Sequence, residues 1–271
     1  MSFIQEKIID INLGLKKEYK LIHISDVHMV TYKDSDSKES IDEALKAEDL
    51  WYRQRTWFAD KFNEPYNEPH MIPSLECLEK LIDYINKEEP NAAILSGDII
   101  DYYSDTNYEA LVKECAKIKP NYVFSIGNHE QPSSRFKALT NSDIALSILN
   151  LDEFKILSLD NSLKSVSIES LSRFKEELKD NKPIIVVMHI PISTQFNKEE
   201  MNKLDQYFII NEEDCDMITK EFIDLLVNND NVKAILTGHL HGFSKTYYAP
   251  GKLQVSASSG LIGMVNKIII K

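Results

Sequence analysis

Five short segments carry the residue types that metal-assisted or acid–base chemistry needs. They are Ser25-Asp26-Val27-His28, Ser96-Gly97-Asp98, Gly127-Asn128-His129-Glu130, His189-Ile190-Pro191 and Thr237-Gly238-His239-Leu240-His241. The chain has seven histidines, and only His23 and His70 fall outside these segments. Carboxylate, imidazole and amide oxygen without a thiolate suit divalent manganese, iron or zinc rather than a structural zinc knot. Asp98 stands nearest the middle of the set and could bridge two ions through its two oxygens. Two ions about 3.5–4 Å apart can hold a hydroxide between them and clamp the oxygens of an in-line displacement at phosphorus. A single Asp or His after a strand is usually only a polar loop residue. Agreement among five segments rejects that reading for the set.

Each segment follows a short apolar run: residues 21–24, 92–95, 122–126, 184–188 and 234–236. Their length and β-branched content suit buried strands. Ligands of an α/β sheet bind at the carboxyl ends of its strands, so parallel runs would bring the five ends to one sheet edge. Asp26 and His28 are two apart, as are His239 and His241, and in extended backbone each pair points to one side. Gly97, Gly127 and Gly238 precede candidate donors and permit sharp turns and close approach.

Helical patterns lie between the runs. Leu75, Leu78, Leu81, Ile82 and Ile85 recur at helical spacing, with Pro73 at the first helical position and Pro90 beyond the end. Further helices are expected over 170–179 and 212–228. This alternation implies helices on both faces of a sheet. Residues 243–249, 253–258 and 267–270 read as strands, with Pro250-Gly251 as a turn, and 154–168 as strand-rich around Asp160-Asn161. These read as antiparallel additions completing one or two packed sheets. A single domain over 1–271 is expected, with an insertion at about 30–71 that is longer than an ordinary connection and could form a lid.

Composition narrows the partners. The formal charge of −12 repels long polyanions and counts against nucleic acid. A small phosphorylated substrate stays open, because bound cations reverse the field locally. Cys77, Cys115 and Cys215 are far apart and lack a Cys-x-x-Cys pairing, which argues against a disulfide framework and a thiolate zinc site. No apolar run approaches a membrane span, and the opening residues do not read as a signal peptide. A cytoplasmic location is the expectation.

In this order, Asp26-x-His28, Gly97-Asp98, Gly127-Asn128-His129-Glu130, His189 and Gly238-His239-x-His241 resemble the five blocks of the calcineurin-like metallophosphoesterase superfamily, over roughly residues 21–241. The resemblance implies a four-layer α/β/β/α sandwich of mixed sheets flanked by helices. It implies that Asp26, His28, Asp98 and His241 hold one divalent ion. Asp98, Asn128, His189 and His239 would hold the other, with Asp98 shared and manganese favoured. His129 would not be a ligand but would stabilise the phosphoryl oxygens or protonate the leaving group. The implied activity is hydrolysis of a phosphodiester or phosphomonoester by a metal-bridging hydroxide. The alternative is a non-catalytic scaffold of the same fold for protein binding, which needs neither the full ligand set nor His129.

Other positions stay open on the sequence. Glu130 stands where the family more often has Asp; it either orients His129 or is a solvated loop carboxylate. Asp101 reads as support behind the ligands or as structural. In the insertion, Trp51, Tyr52, Arg53, Arg55 and Trp57 could recognise a base and a phosphate. An amphipathic helix docked through Ile41, Leu45, Trp51 and Phe58 is the better supported reading. The loop 193–211 is either a pocket wall or a surface loop.

Overall fold

A computed structural model of the chain describes residues 3–65, 72–140, 143–204 and 206–271. The end of the 30–71 insertion, with His70, lies outside the described residues. The first half forms β1 (Gln5–Ile11), β2 (Tyr19–Ile24), α1 (Lys38–Phe62), α2 (Ser74–Glu88), β3 (Ala92–Leu95), α3 (Asp105–Cys115) and β4 (Tyr122–Phe124). Then come β5 (Ser147–Asn150), β6 (Lys155–Ser158), α4 (Ile168–Glu177), β7 (Ile184–Val187), β8 (Ile192–Ser193), α5 (Lys198–Met201) and β9 (Ile210–Asn211). The chain ends with α6 (Met217–Asn228), β10 (Val232–Thr237), β11 (Ser244–Ala249), β12 (Lys252–Ser256) and β13 (Met264–Ile270).

Two mixed sheets result. One has the order β1-β13-β2-β3-β4, the other β11-β12-β10-β7-β6-β5, and β8 pairs with β9 separately. Strands β2, β3 and β4 run parallel, as do β6, β7 and β10, while β13 is antiparallel to β2. The five apolar runs therefore do not share one sheet edge: three lie in the first sheet and two in the second. One face of each sheet is covered by the other sheet, so the run ends meet across the gap between them.

Alternation along the strands explains the layers. In β3, Ala92 and Ile94 face Ile185, Val187, Ala234 and Leu236 of the opposite sheet. Ala93 and Leu95 pack with Leu78, Leu81, Ile82 and Ile85 of α2. In β7, Ile184 and Val186 meet Phe174 of α4 and Phe222 and Leu226 of α6. The result is helices, sheet, sheet, helices, the four-layer α/β/β/α sandwich. Burying each large apolar side chain contributes about 1.5–3 kcal/mol, so three such layers make the strand ends a fixed platform. Ser158 donates its hydroxyl to Phe124 O and Ser125 donates to Leu159 O, tying the sheets beside the site.

Caps set the helix starts. Ser37, Ser104 and Ser167 accept first-turn N–H groups of α1, α3 and α4. Asp216 accepts from Ile218 and Thr219, so α6 begins at Met217 and residues 212–216 lie outside it. Pro73 is the N-cap of α2, one residue before the expected position. Within 154–168 only β6 is a strand, because Ser167 caps α4. Among the described residues no helix is long and apolar enough to cross a membrane.

Candidate metal centre

The loops after β2, β3, β4, β7 and β10 converge where the two sheets meet. Their backbone is unusual at the donors themselves. Asp26, His28, Asp98, His239 and His241 have φ of 53°, 47°, 51°, 67° and 56°. They are five of the eight non-glycine residues with positive φ among the described residues. Such conformations cost about 1–3 kcal/mol each and persist only where neighbours hold them. The two pairs are thus not extended, as their spacing suggested. Left-handed turns send both donors of a pair to the centre, while Val27 and Leu240 between them are buried.

The neighbours that hold these turns are specific. Asp26 N donates to Gly97 O and His28 N to Asp98 O, each at 3.0 Å, so the first two loops brace each other. The Asp26 carboxylate accepts His239 N at 3.0 and 3.1 Å, joining the last loop to the first. A Cβ on Gly238 would stand 1.9 Å from Ser25 Oγ, so only glycine allows that approach. Asn161, read from the sequence as a turn residue, is buried and accepts both His189 N and Ile190 N at 3.0 Å. Its amide donates to Ile190 O at 2.7 Å, fixing the loop after β7.

The expected donors come together. Ligand atoms of Asp26, His28, Asp98 and His241 lie within 4.8 Å of one another, and so do those of Asp98, His189 and His239. His28 Nε2 and His241 Nε2 are 3.2 Å apart, and His241 Nε2 is 3.5 Å from Asp26 Oδ1. Around His189 Nε2, Asp98 Oδ2 lies at 3.0 Å and Asn128 Oδ1 and His239 Nδ1 each at 3.1 Å. Asp98 belongs to both groups.

Outer contacts fix the imidazole tautomers. His189 Nδ1 donates to Ser96 O at 2.7 Å, His239 Nε2 to Tyr207 O at 3.4 Å, and His28 Nδ1 to Asp101 Oδ1 at 3.1 Å. The remaining nitrogens turn lone pairs towards the carboxylates, as in metal-binding histidines with outer acceptors. Without a cation, a second proton on His189 Nε2 could serve only one of its three neighbours. A cation at their meeting point satisfies all of them.

Electrostatics agree. Burial and the charge of Asp98 push Asp26 up to about 7, and Glu130 likewise to about 7. Burial opposes charge on His189, yet Asp98 and Asp26 draw it up to about 9. The carboxylates demand positive charge. Burial pushes His239 down to about 3 and holds His28 and His241 below the usual histidine range, in the neutral form that binds cations.

His129 sits apart from the donor groups. Its side chain is 31% exposed, and its Nδ1 bonds the main-chain oxygen of Asp101 and lies 3.2 Å from Asp101 Oδ1. Burial opposes its charge, but Asp101 and Asp98 push it up to about 10. Asp101, not Glu130, is therefore the carboxylate that orients His129.

Glu130 matches neither expectation. It is fully buried, and its oxygens accept the backbone N–H of Gly127, Asp98, Ile99 and Ile100 at 2.7, 2.8, 2.6 and 3.1 Å. A carboxylate in the loop after β4 thereby sets the loop after β3. Its position next to His129 in the sequence suggested a shared task. The turn instead directs the two side chains to different partners.

The calcineurin-like phosphoesterase pattern matches residues 19–243, the span that contains every one of these donors. The chain belongs to that family. Curated relatives include a probable cyclic nucleotide phosphodiesterase of Colwellia psychrerythraea, 25% identical over 55% of this chain and 55% of that protein. A probable glycerophosphodiester phosphodiesterase of Arcobacter nitrofigilis is 26% identical over 64% of this chain and 65% of its own. The chain thus spans between about half and two thirds of the length of these curated relatives. A dimetal phosphatase from Danio rerio matches 90% of this chain and 88% of its own, with TM-score 0.56 and 13% identity. A purple acid phosphatase from yellow lupin seeds matches 92% of this chain and 45% of its own, at TM-score 0.53 and 12% identity. These two likenesses speak to the fold alone, and it is the family's.

Two aromatic covers, not derivable from the family blocks, flank the donors. On one side α1 brings Trp51 against His28 and Phe58 against His241. On the other, Tyr207 and Phe208 lie 5.7 and 5.5 Å from the His239 ring, ring centre to ring centre. The loop 193–211 is a wall at this point. The arginines of the insertion are elsewhere: Arg55 is fully buried and donates to Ile72 O, while Arg53 pairs with Asp49 on the outer face.

Proposed function

We propose that this chain is a two-metal hydrolase of phosphate esters, with phosphodiesters as its first substrate class and manganese as its preferred ion. The reading is carried by one observation: donors, three of them imidazoles with fixed tautomers, face one another around Asp98 in two groups that share it. Asp26, His28, Asp98 and His241 would hold one ion, and Asp98, Asn128, His189 and His239 the other. Bound there, two divalent ions supply Lewis acidity and a nucleophile active near neutral pH. The preference for diesters is supported by the names of the curated relatives, which are phosphodiesterases.

The chain's own residues do the rest. His129 is the charged, partly exposed group beside the donors, held through Nδ1 by Asp101. Its Nε2 is left to face the substrate, to steady the phosphoryl oxygens and to give a proton to the departing alkoxide. Burial of the donors excludes water from the ligand atoms and strengthens every charge interaction among them. A scaffold would need neither the complete donor set nor His129 with its Asp101 support, and this chain has both.

The test is hydrolysis of bis-p-nitrophenyl phosphate and p-nitrophenyl phosphate by chelator-stripped protein resupplied with manganese, with metal content measured on the same samples. Turnover restored by manganese, faster on the diester and absent in Asp98→Ala, is expected. Bound manganese without turnover on either ester would leave the scaffold; no bound manganese would remove the two-metal reading.

A further inference from the structure

We propose that Trp51 is a positioning residue for the first cation position: its indole, carried on α1, sets the planes of the His28 and His241 imidazoles and closes that side of the centre. The proposal rests on the two-metal reading. Trp51 lies on the His28 ring with 3.9 Å between centroids and 25° between planes, and 5.5 Å from the His241 ring at 18°. Phe58, two helical turns on, covers His241 at 4.3 Å and 31°, and stands 6.1 Å from Trp51 at 20°. The two imidazoles are themselves 4.8 Å apart at 30°. Four rings lie close to parallel.

Flat faces matter here because polar contacts do not fix both rings. At the other cation position His189 and His239 are each oriented by a main-chain oxygen. At this one His28 has Asp101, but the buried His241 Nδ1 has no hydrogen-bond partner among the described residues. With polar contacts at Nε2 alone, to His28 and Asp26, the ring can still turn about that nitrogen, and the rings against it set its plane. Among the described residues the buried indole N–H of Trp51 likewise has no partner, so Trp51 presents a ring face there, not a hydrogen bond.

The helix that carries Trp51 is tied down on both sides of it. Glu48 accepts Ser74 N at 2.8 Å and the Ser74 hydroxyl at 2.5 Å. Just past the helix, Glu64 accepts Phe243 N at 3.0 Å and the Ser258 hydroxyl at 2.6 Å, and pairs with Lys7 at 2.8 Å. Trp51 therefore reaches the centre as part of a fixed wall. Substrate is left the side of Asn128 and His129, which are partly exposed.

The experiment is manganese binding by equilibrium dialysis with metal analysis, on the full chain, for wild type, Trp51→Ala, Trp51→Phe and Trp57→Ala. Wild type is expected to take two equivalents. In Trp51→Ala one equivalent weakens by about tenfold or more and the other is unchanged. Trp51→Phe recovers most of the loss, and Trp57→Ala binds as wild type. Two equivalents at wild-type affinity in Trp51→Ala overturn the positioning role and leave the two-metal reading standing; no uptake by wild type overturns both. Should Trp51→Ala not fold, Trp57→Phe leaves Trp51 as the only tryptophan of the two in the chain. Its emission is expected to be quenched as manganese binds, and emission unchanged at saturating manganese overturns the proposal.

Discussion

The two halves of the centre are built from the same residue types and, except at Asn128, bury their donors alike, but their borders differ. Asp26 and His28 are wholly buried and His241 is 6% exposed, beneath Trp51 and Phe58. Across Asp98, Asn128 and His129 are partly exposed, and Tyr207 beside His239 is 58% exposed. The His28 and His129 rings meet edge to face at 4.6 Å, and both lean on the same Asp101 carboxylate. Histidine chemistry alone does not separate them. Holding a cation asks for a neutral imidazole with a fixed tautomer and no competing water. Proton transfer to a substrate asks for a charged ring that the substrate can reach. On the proposed reading, burial suits His28 to the first task, and partial exposure with two nearby carboxylates suits His129 to the second.

The largest effect that sharpens this contrast is His129→Ala. Turnover on the diester is expected to fall by about 10²–10⁴-fold while both manganese equivalents are retained. Loss of metal along with turnover would place His129 among the ligands and erase the distinction between the halves. Asp101→Asn comes next, because it touches both halves. It keeps the shape but weakens the acceptor for His28 Nδ1 at 3.1 Å and for His129 Nδ1 at 3.2 Å. One manganese equivalent is expected to weaken by about 10–100-fold, and turnover at saturating manganese to stay depressed. Full recovery of turnover at high manganese would confine Asp101 to His28.

Those roles were unequally legible in the sequence. Asp26, His28, Asp98, Asn128, His189, His239 and His241 stand out because they cluster just after short, β-branched apolar runs, which suit buried strands. That the runs divide between two sheets is invisible in them, since an apolar residue facing a second sheet looks like one facing a helix. The pairs Asp26–His28 and His239–His241 each share a side, but not through strand alternation. Spacing of two suits a strand, but the backbone is left-handed, a state that Asp and His spacing does not announce. Asp101 does stand behind His28, as read, but that it and not Glu130 orients His129 is hidden, because side-chain direction in a tight loop depends on the turn and not on sequence adjacency. Trp51 is legible only as one ring on a docked helix and Asn161 only as a turn residue: one lies in an insertion and the other in a connection, and only packing brings them to the centre.

The smallest expected effect concerns His23, behind the sealed half. It is buried between the sheets, with Nε2 2.8 Å from Ser96 Oγ and Nδ1 3.4 Å from the Asn266 amide. Burial pushes it down to about 3, whereas an unfolded chain protonates histidine near the ordinary value of about 6.5. Between these values the unfolded state holds the extra proton, so folding stability rises with pH and is lost as pH falls below about 6.5. The slope from this one residue is at most about 1.4 kcal/mol per pH unit. His23→Gln is expected to be less stable than wild type near neutral pH, because Ser96 and Asn266 lose their fit. It cannot take up that proton when unfolded, so its deficit should shrink at about that slope as pH falls from 6 to 4. Denaturant unfolding of metal-free protein at four or five pH values measures it. A constant difference between the two proteins would mean that His23 is charged in the fold, and that the layer beneath the sealed half is less dry than its packing implies.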